Sequence, residues 1–155
     1  TGTIITRYEN AFAAIPLLVS FIPMLMDTGG NCGSQASVMV IRGLALGEVE
    51  MRDILRVLWK ELRVGLLVGV VLSVVNFGRI MLFESVGTMV ALTVSLSLFV
   101  TVVVAKCIGC SLPIVARRCG FDPAVMASPF ITTIVDAISL VGFFNIATNL
   151  LHLAA

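Results

Sequence analysis

The sequence predicts an all-α fold, a polytopic bundle of membrane-spanning helices. Hydrophobic residues make up 59% of the 155 positions and charged residues only 12%, and the mean hydropathy is +1.10, which is far from the composition of soluble proteins. Four apolar stretches reach the length of about 20 residues that a helix needs to cross the hydrocarbon. None of them shows the alternating pattern of a barrel strand. The chain has no long polar region, so we expect a single transmembrane domain over residues 1–155.

Polar turns divide the apolar sequence into four predicted membrane helices, at about residues 11–41, 64–83, 86–116 and 124–151. The segment between the first two is charged on one helical face. Its other face carries apolar residues at helical spacing, which are Leu55, Leu58, Trp59 and Leu62. We therefore expect a separate amphipathic helix that lies in the membrane interface, with Trp59 at the level of the lipid headgroups.

Basic residues are concentrated in two of the predicted loops. Residues 42–63 contain five Lys and Arg and residues 117–118 contain two, whereas the connection after the second helix has only Arg79. Because Lys and Arg accumulate on the cytoplasmic side, both basic loops are predicted to face the cytoplasm of a multi-pass protein in the plasma or inner membrane. This orientation places Thr1 outside and predicts a further helix upstream. The net charge of +1 gives no indication of a nucleic-acid partner.

Asp136 is the most informative polar residue within a predicted span. It falls near the middle of the last span, where an Asp costs about 2.5–3.5 kcal/mol to insert, so intramembrane acids are functional by default. Residues three and four apart share a helical face. The hydroxyl groups of Ser128 and Thr132 therefore lie on the same face of the helix as Asp136, and that of Thr133 lies beside it. Such oxygen atoms suit a hard cation, for example Mg²⁺ or Ca²⁺. The alternative is a protonated Asp136 that is hydrogen-bonded to a neighbouring helix.

A glycine-rich segment, GGNCGSQ at residues 29–35, interrupts the first predicted span. Prolines and glycines weaken a helix, so the backbone here is predicted to bend or unwind, which is tolerated at membrane depth only beside protein or a watery cavity. Polar residues spaced four apart would line that cavity. The predicted pore-lining residues are Asp27, Gly29, Gly30, Asn31 and Gln35. Alternatively, the glycines only allow two helices to pack closely.

Lys106, Cys107 and Cys110 are further polar or reactive residues within the third span. The Lys106 side chain is expected to extend to the cytoplasmic interface, with pairing to an acid as the alternative. The two cysteines form a C-x-x-C motif, but no other Cys or His completes a recognisable four-ligand zinc pattern. We therefore expect no structural metal there.

Two motifs carry a resemblance to a known family. Pro23 is followed, after five residues, by GGNCGSQ, and residues 121–140 read FDPAVMASPFITTIVDAISL. The first is similar to the P-x5-G-G-N-x-G-x-Q signature of the MgtE magnesium channels and their eukaryotic solute-carrier relatives. The second resembles the last helix of that family, in which D-P-A is followed by a proline, a T-T pair and an aspartate. The resemblance extends over residues 11–151, nearly the whole chain.

The resemblance implies a homodimer of five-helix domains in the membrane lipid, not an enzyme. In it the two copies of Asp136 hold a largely hydrated Mg²⁺ on the two-fold axis. Thr132 and Ser128 correspond to the family's contacts one and two turns earlier, although relatives carry Asn at the position of Ser128. Mg²⁺ is the implied transported ion, with Mn²⁺ and other divalent ions as further candidates. By this resemblance we expect the family's fifth helix to lie upstream of these residues, and its regulatory cytoplasmic domains to be absent from them.

The charge of the ion favours a dimer independently of the resemblance. One carboxylate per chain cannot neutralise a divalent ion, whereas a two-fold axis brings two carboxylates together. Two other functions stay open at this point. One is an ion-coupled carrier that binds Na⁺ or H⁺ at Asp136, and the other is a non-conducting membrane scaffold whose polar residues only hold helices together.

Overall fold

Four long α-helices make up most of the computed structural model, which describes Thr3, residues 16–126 and residues 128–151. We number them α1 (Ile22–Ala45), α2 (Ile54–Phe83), α3 (Thr88–Arg118) and α4 (Ser128–Leu151). A single helical turn at Leu17–Ser20 precedes α1, and 3-10 turns at Met51–Asp53 and Pro123–Met126 precede α2 and α4. The described residues contain no β-strand, so the predicted all-α helix bundle is confirmed.

Within the described part of the chain, three helices are long and apolar enough to cross a membrane, which are α2, α3 and, from Pro129 onward, α4. Helix α1 has 24 residues, or about 36 Å at 1.5 Å per residue. Its polar residues make it less apolar than the other three. The chain is thus a multi-pass membrane protein. The beginning of the first predicted span, residues 11–15, lies outside the described residues.

Helix α3 is the centre of the bundle and contacts the other three helices, while α1 also contacts α4. The buried apolar core lies between these elements, with Leu25 from α1, Val94, Leu98 and Val102 from α3, and Ile131 and Val135 from α4. Helix α2 packs on one side of α3 through a stripe of buried residues, Glu61, Gly65, Gly69, Asn76 and Ile80. The outward faces are rich in exposed Leu and Val, as a surface in contact with lipid requires.

Glycines end α1 and α3 in the same way. Gly47 and Gly120 have φ angles of 72° and 79°, in the left-handed region that glycine adopts without strain. In each case the residue after the glycine donates its N–H to a carbonyl five residues earlier, at 2.9 Å, which is the Schellman arrangement of a helix C-terminus. The two ends are also connected, because the Arg117 guanidinium donates to the Leu44 carbonyl at 2.8 Å. The two basic loops therefore lie at one end of the bundle.

The start of α2 differs from the sequence prediction. The expected interfacial helix within residues 42–63 is not a separate element, because α2 runs without interruption from Ile54 to Phe83. Of the residues predicted to form its apolar face, Leu55 is 76% exposed and Trp59 is 61% exposed, whereas Glu61 from the charged face is 6% exposed. No proline or turn separates the charged segment from the apolar one, so helical hydrogen bonding continues through both.

Candidate cation site

Small residues allow α1 to approach α3 and α4 closely. A Cβ atom added to Gly29 would lie 2.7 Å from Thr101 Cγ2 of α3 and 3.0 Å from Val135 Cγ1 of α4. A Cβ added to Gly109 of α3 would overlap the carbonyl oxygen of Gly33 in α1. Small residues at such crossings let two helix backbones come together in a membrane protein. The glycines thus fix the position of α1 against its two neighbours.

Gly30 brings α1 next to the carboxylate of Asp136. A Cβ at Gly30 would lie 3.0 Å from Thr132 Cγ2 and 4.0 Å from Asp136 Oδ1. Helix α4 begins at Ser128 rather than at the expected residue 124, so Asp136 lies about 12 Å from its N-terminal end, one third of the way along the helix. The structure therefore places Gly30, Thr132 and Asp136 together.

The predicted unwinding of the glycine-rich segment is wrong. Residues 22–45 form one continuous α-helix, and the break in helical structure occurs earlier, at Phe21. Pro23 lies in the first turn of α1, where a missing N–H does no harm. The glycines have low intrinsic helix propensity, but their contacts with α3 and α4 override it. The alternative, in which they serve close helix packing, is confirmed.

The other predicted site residues differ in their exposure. Thr132 and Asp136 are half-buried, whereas the exposed members of the set are Asp27, Asn31 and Gln35 on α1 and Thr133 on α4. Gly29 and Gly30 are buried. The side chain of Ser128 lies outside the described residues. The spacing of Asp27, Asn31 and Gln35 places them on successive turns of one face of α1, so this face presents polar groups outward.

Few of these polar groups have partners within the described residues. The hydroxyls of Thr132 and Thr133 donate to the Pro129 carbonyl at 3.0 Å and 2.8 Å, which uses their protons and leaves their oxygen lone pairs free to accept. The Asp136 carboxylate forms no hydrogen bond or ion pair with another described residue. The neighbouring-helix partner that a protonated, merely structural Asp136 requires is therefore not found in this part of the chain.

A buried ion pair joins α2 and α3, and its acidic partner was not identified from the sequence. Lys106 is 9% exposed and its Nζ lies 3.5 Å from Glu61 Oε2, so its expected extension to the interface is wrong and its alternative, pairing with an acid, is correct. Lys106 precedes the end of α3 at Arg118 by three turns, about 18 Å, which is too far for its side chain to cover. Two features of the sequence could have indicated this pair. One is the depth of Lys106 in its span, and the other is the helical spacing of Glu61 from Gly65 and Gly69.

The polar face of α1 and the Asp136 side of α4 offer carboxylate, amide and hydroxyl oxygens, which are the groups that hard cations bind. A helical bundle with such a face belongs to the class of polytopic membrane proteins that includes ion channels and transporters. The chain belongs to the MgtE family, described as divalent cation transporters, whose sequence model matches residues 22–146.

Three curated relatives carry the name magnesium transporter MgtE. The protein of Thermus thermophilus is 34% identical over 152 residues, which is 98% of this chain and 33% of the relative. The protein of Bacillus subtilis is 33% identical over 98% of this chain and 34% of the relative. The protein of Enterococcus faecalis is 30% identical over 96% of this chain and 32% of the relative. The chain thus spans about a third of the length of these relatives.

Proposed function

We propose that this chain forms the membrane part of a Mg²⁺ channel or transporter and that the ion passes along the polar face of α1 and α4. The single observation that carries the proposal is the half-buried Asp136 carboxylate, which lies against Gly30 and has no partner among the described residues. An unpaired acid at membrane depth is costly, and a passing cation supplies the missing counter-charge. The names of the relatives support Mg²⁺ as that cation.

A second copy of the chain would complete the site. Each chain contributes one Asp136, so two copies related by a two-fold axis match the charge of one divalent ion. The face that carries Asp27, Asn31 and Gln35 is exposed in the single chain, and burial of this face in a homodimer would enclose the ion path between the two copies. The proposed assembly therefore places the pore on the dimer axis.

The ion would pass in a largely hydrated form. Mg²⁺ loses its water reluctantly and usually keeps several water molecules when a protein binds it. Under the proposal, Asp136 and Thr132 accept hydrogen bonds from those waters, with Ser128 one turn earlier and Thr133 beside them. Asn31 and Gln35 offer amide oxygens along α1. Mn²⁺ has the same charge and binds oxygen ligands, so we expect it to compete with Mg²⁺.

The membrane potential would supply the driving force. With the basic end of the bundle in the cytoplasm, an inward-moving divalent ion gains about 2.3 kcal/mol per charge per 100 mV, so nearly twice that amount in total. Under this proposal the protein requires neither nucleotide hydrolysis nor a coupled ion.

An uptake assay in liposomes tests the proposal. We expect Asp136→Asn, which keeps the shape but removes the charge, to abolish Mg²⁺ uptake. Glu48→Gln removes one acid from the exposed loop after α1 and should leave uptake unchanged. Uptake by the Asn variant at the wild-type rate would refute the role of Asp136. Uptake that requires a Na⁺ or H⁺ gradient would indicate the carrier, and no uptake by the wild-type dimer would indicate the scaffold.

A further inference from the structure

A cavity of about 600 Å³ lies beside the polar face of α1. Its walls come from α1, α2 and α3, and the polar residues that line it include Asn31, Gln35, Lys60, Glu61 and Lys106. Asn31 and Gln35 are also part of the proposed ion path, so the cavity and the path share a wall. The volume is many times the 30 Å³ or so that one water molecule occupies in the liquid. It therefore has room for an ion with its water shell.

The ion pair of Glu61 and Lys106 is part of the cavity wall and is largely removed from solvent. The side chain of Lys106 is 11% exposed and that of Glu61 is 8% exposed. Taking two charges out of water is unfavourable unless the geometry is good and hydrogen bonds satisfy both groups. A pair that served only to hold α2 against α3 should therefore be closely hydrogen-bonded.

The observed pair does not meet that requirement. The 3.5 Å between Lys106 Nζ and Glu61 Oε2 exceeds the 2.7–2.9 Å or so of a charge-assisted hydrogen bond. Among the described residues, Glu61 Oε2 is buried and accepts no hydrogen bond. The carboxylate thus keeps unused capacity to bind a donor or a cation, and it does so in the wall of a cavity that is large enough to hold one.

The Lys106 side chain packs on α2 at its base, and the residue also lines the cavity. The position that a Cβ would take on Gly65 lies 3.4 Å from Lys106 Cβ and 3.5 Å from its Cγ, so the base of the side chain packs on α2. Beyond Cγ, the chain still has rotatable bonds that carry the ammonium group. Rotation about these bonds would move the ammonium from Glu61 toward the cavity, which Lys106 also lines.

We propose that Glu61 is a second binding position for a divalent cation, beside the ion path, and that the Lys106 ammonium occupies this carboxylate when no cation is present. The hydrated ion binds Glu61 while the amide oxygens of Asn31 and Gln35 accept hydrogen bonds from its water shell. Lys106 rotates away as the ion arrives, so Glu61 always has a counter-charge nearby. The identity of this ion as Mg²⁺ rests on the proposed function, whereas the site itself requires only a hard divalent cation.

The test measures Mn²⁺ binding to the purified full chain by electron paramagnetic resonance, with Asp136→Asn present throughout so that the Asp136 site is silent. Lys106→Met keeps an unbranched side chain that is only one atom shorter, and it removes the charge. We expect this change to increase Mn²⁺ affinity by about tenfold or more, because a competing charge beside Glu61 is lost. Mn²⁺ should also raise the melting temperature of this variant.

The matched control is the double substitution Glu61→Gln and Lys106→Met, which removes both charges and leaves no buried ion. It should fold and should show neither effect of Mn²⁺. Unchanged Mn²⁺ affinity in Lys106→Met, or a gain in affinity that persists in the double variant, would overturn the proposal. Failure of Lys106→Met to fold even with Mn²⁺ present would overturn it as well, since the ion then does not replace the ammonium.

Failure of this proposal can be told apart from failure of the proposed function. Mg²⁺ uptake by the unmodified protein tests the transport function and does not depend on the Mn²⁺ titration. A protein that transports Mg²⁺ but shows no Mn²⁺ binding at Glu61 would leave the function in place and remove the second position. A protein that binds Mn²⁺ at Glu61 but transports no divalent ion would keep the second position and refute the transport function.

Discussion

Replacement of Gly109 by alanine should force α1 and α3 apart. The new Cβ would overlap the carbonyl oxygen of Gly33 and would lie 2.8 Å from its carbonyl carbon and 2.9 Å from its Cα. All three atoms belong to the backbone, so no side-chain rotation can relieve the overlap. Overpacking costs about 1–3 kcal/mol in cores that can adjust, and we expect a loss of about 3 kcal/mol here. On the scale of soluble domains of this size, the loss corresponds to a melting temperature lower by roughly 6–12 °C.

The measurement is thermal unfolding in detergent. Its readout is the fraction of protein that stays monodisperse on size-exclusion chromatography after heating. Gly142→Ala is the matched control, because a Cβ at Gly142 meets no atom within 4 Å and alanine is the better helix former by about 1 kcal/mol. The control should melt at or above the wild-type temperature. If Gly109→Ala melts together with Gly142→Ala, the close crossing of α1 and α3 does not exist as described.

Two further predictions concern the end of the bundle that carries the basic loops. Arg117→Ala removes the hydrogen bond to the Leu44 carbonyl and should lower the free energy of unfolding by about 1 kcal/mol. The control is Arg118→Ala, at the next residue, which should have little effect. Equal unfolding curves for the two variants would contradict this prediction. Gly120→Ala places a side chain at a φ of 79° and should cost about 1–2 kcal/mol. Gly78→Ala, in an open helical position, is its control, and equal stability of these two alanine variants would show that Gly120 is not needed for the turn.

The last two helices were predicted closely because their limits are set by local signals. The third predicted span, residues 86–116, corresponds to Thr88–Arg118, and the fourth, residues 124–151, to Ser128–Leu151. Long apolar runs between polar turns leave little choice of element or length in a membrane. The same argument failed for α2, because a change from charged to apolar residues is not in itself a helix end, and α2 continues through it.

Charged residues inside the bundle could be located from the sequence, but their partners could not. Lys106 was expected to extend to the interface, and Glu61 belongs to the charged segment that was expected to form an interfacial helix, yet the two form a buried pair. The energy of each charge depends on whether the other lies within a few ångströms. That distance is set by the packing of α2 on α3 at Gly65, which no local pattern contains.

The cation-binding role of the candidate site residues stays a prediction, and the structure tests only how these residues are arranged. Asp136 and Thr132 were placed on one face of α4 from spacing alone, and the structure adds that Gly30 lies against both. For the glycine-rich segment, unwinding and close packing were both compatible with the sequence. Glycine lowers the intrinsic stability of a helix in either case, so the contacts with α3 and α4 decide between the two.

By itself, the sequence determined the class of fold and the family, and it proposed the side chains of the cation site, because these depend on apolar length, helical spacing and the chemistry of individual residues. The tertiary structure alone decided that α1 stays helical, that α2 begins ten residues before the predicted span and that Glu61 is paired with Lys106. Each of those outcomes depends on contacts between helices, and a contact energy exists only when both partners are in place.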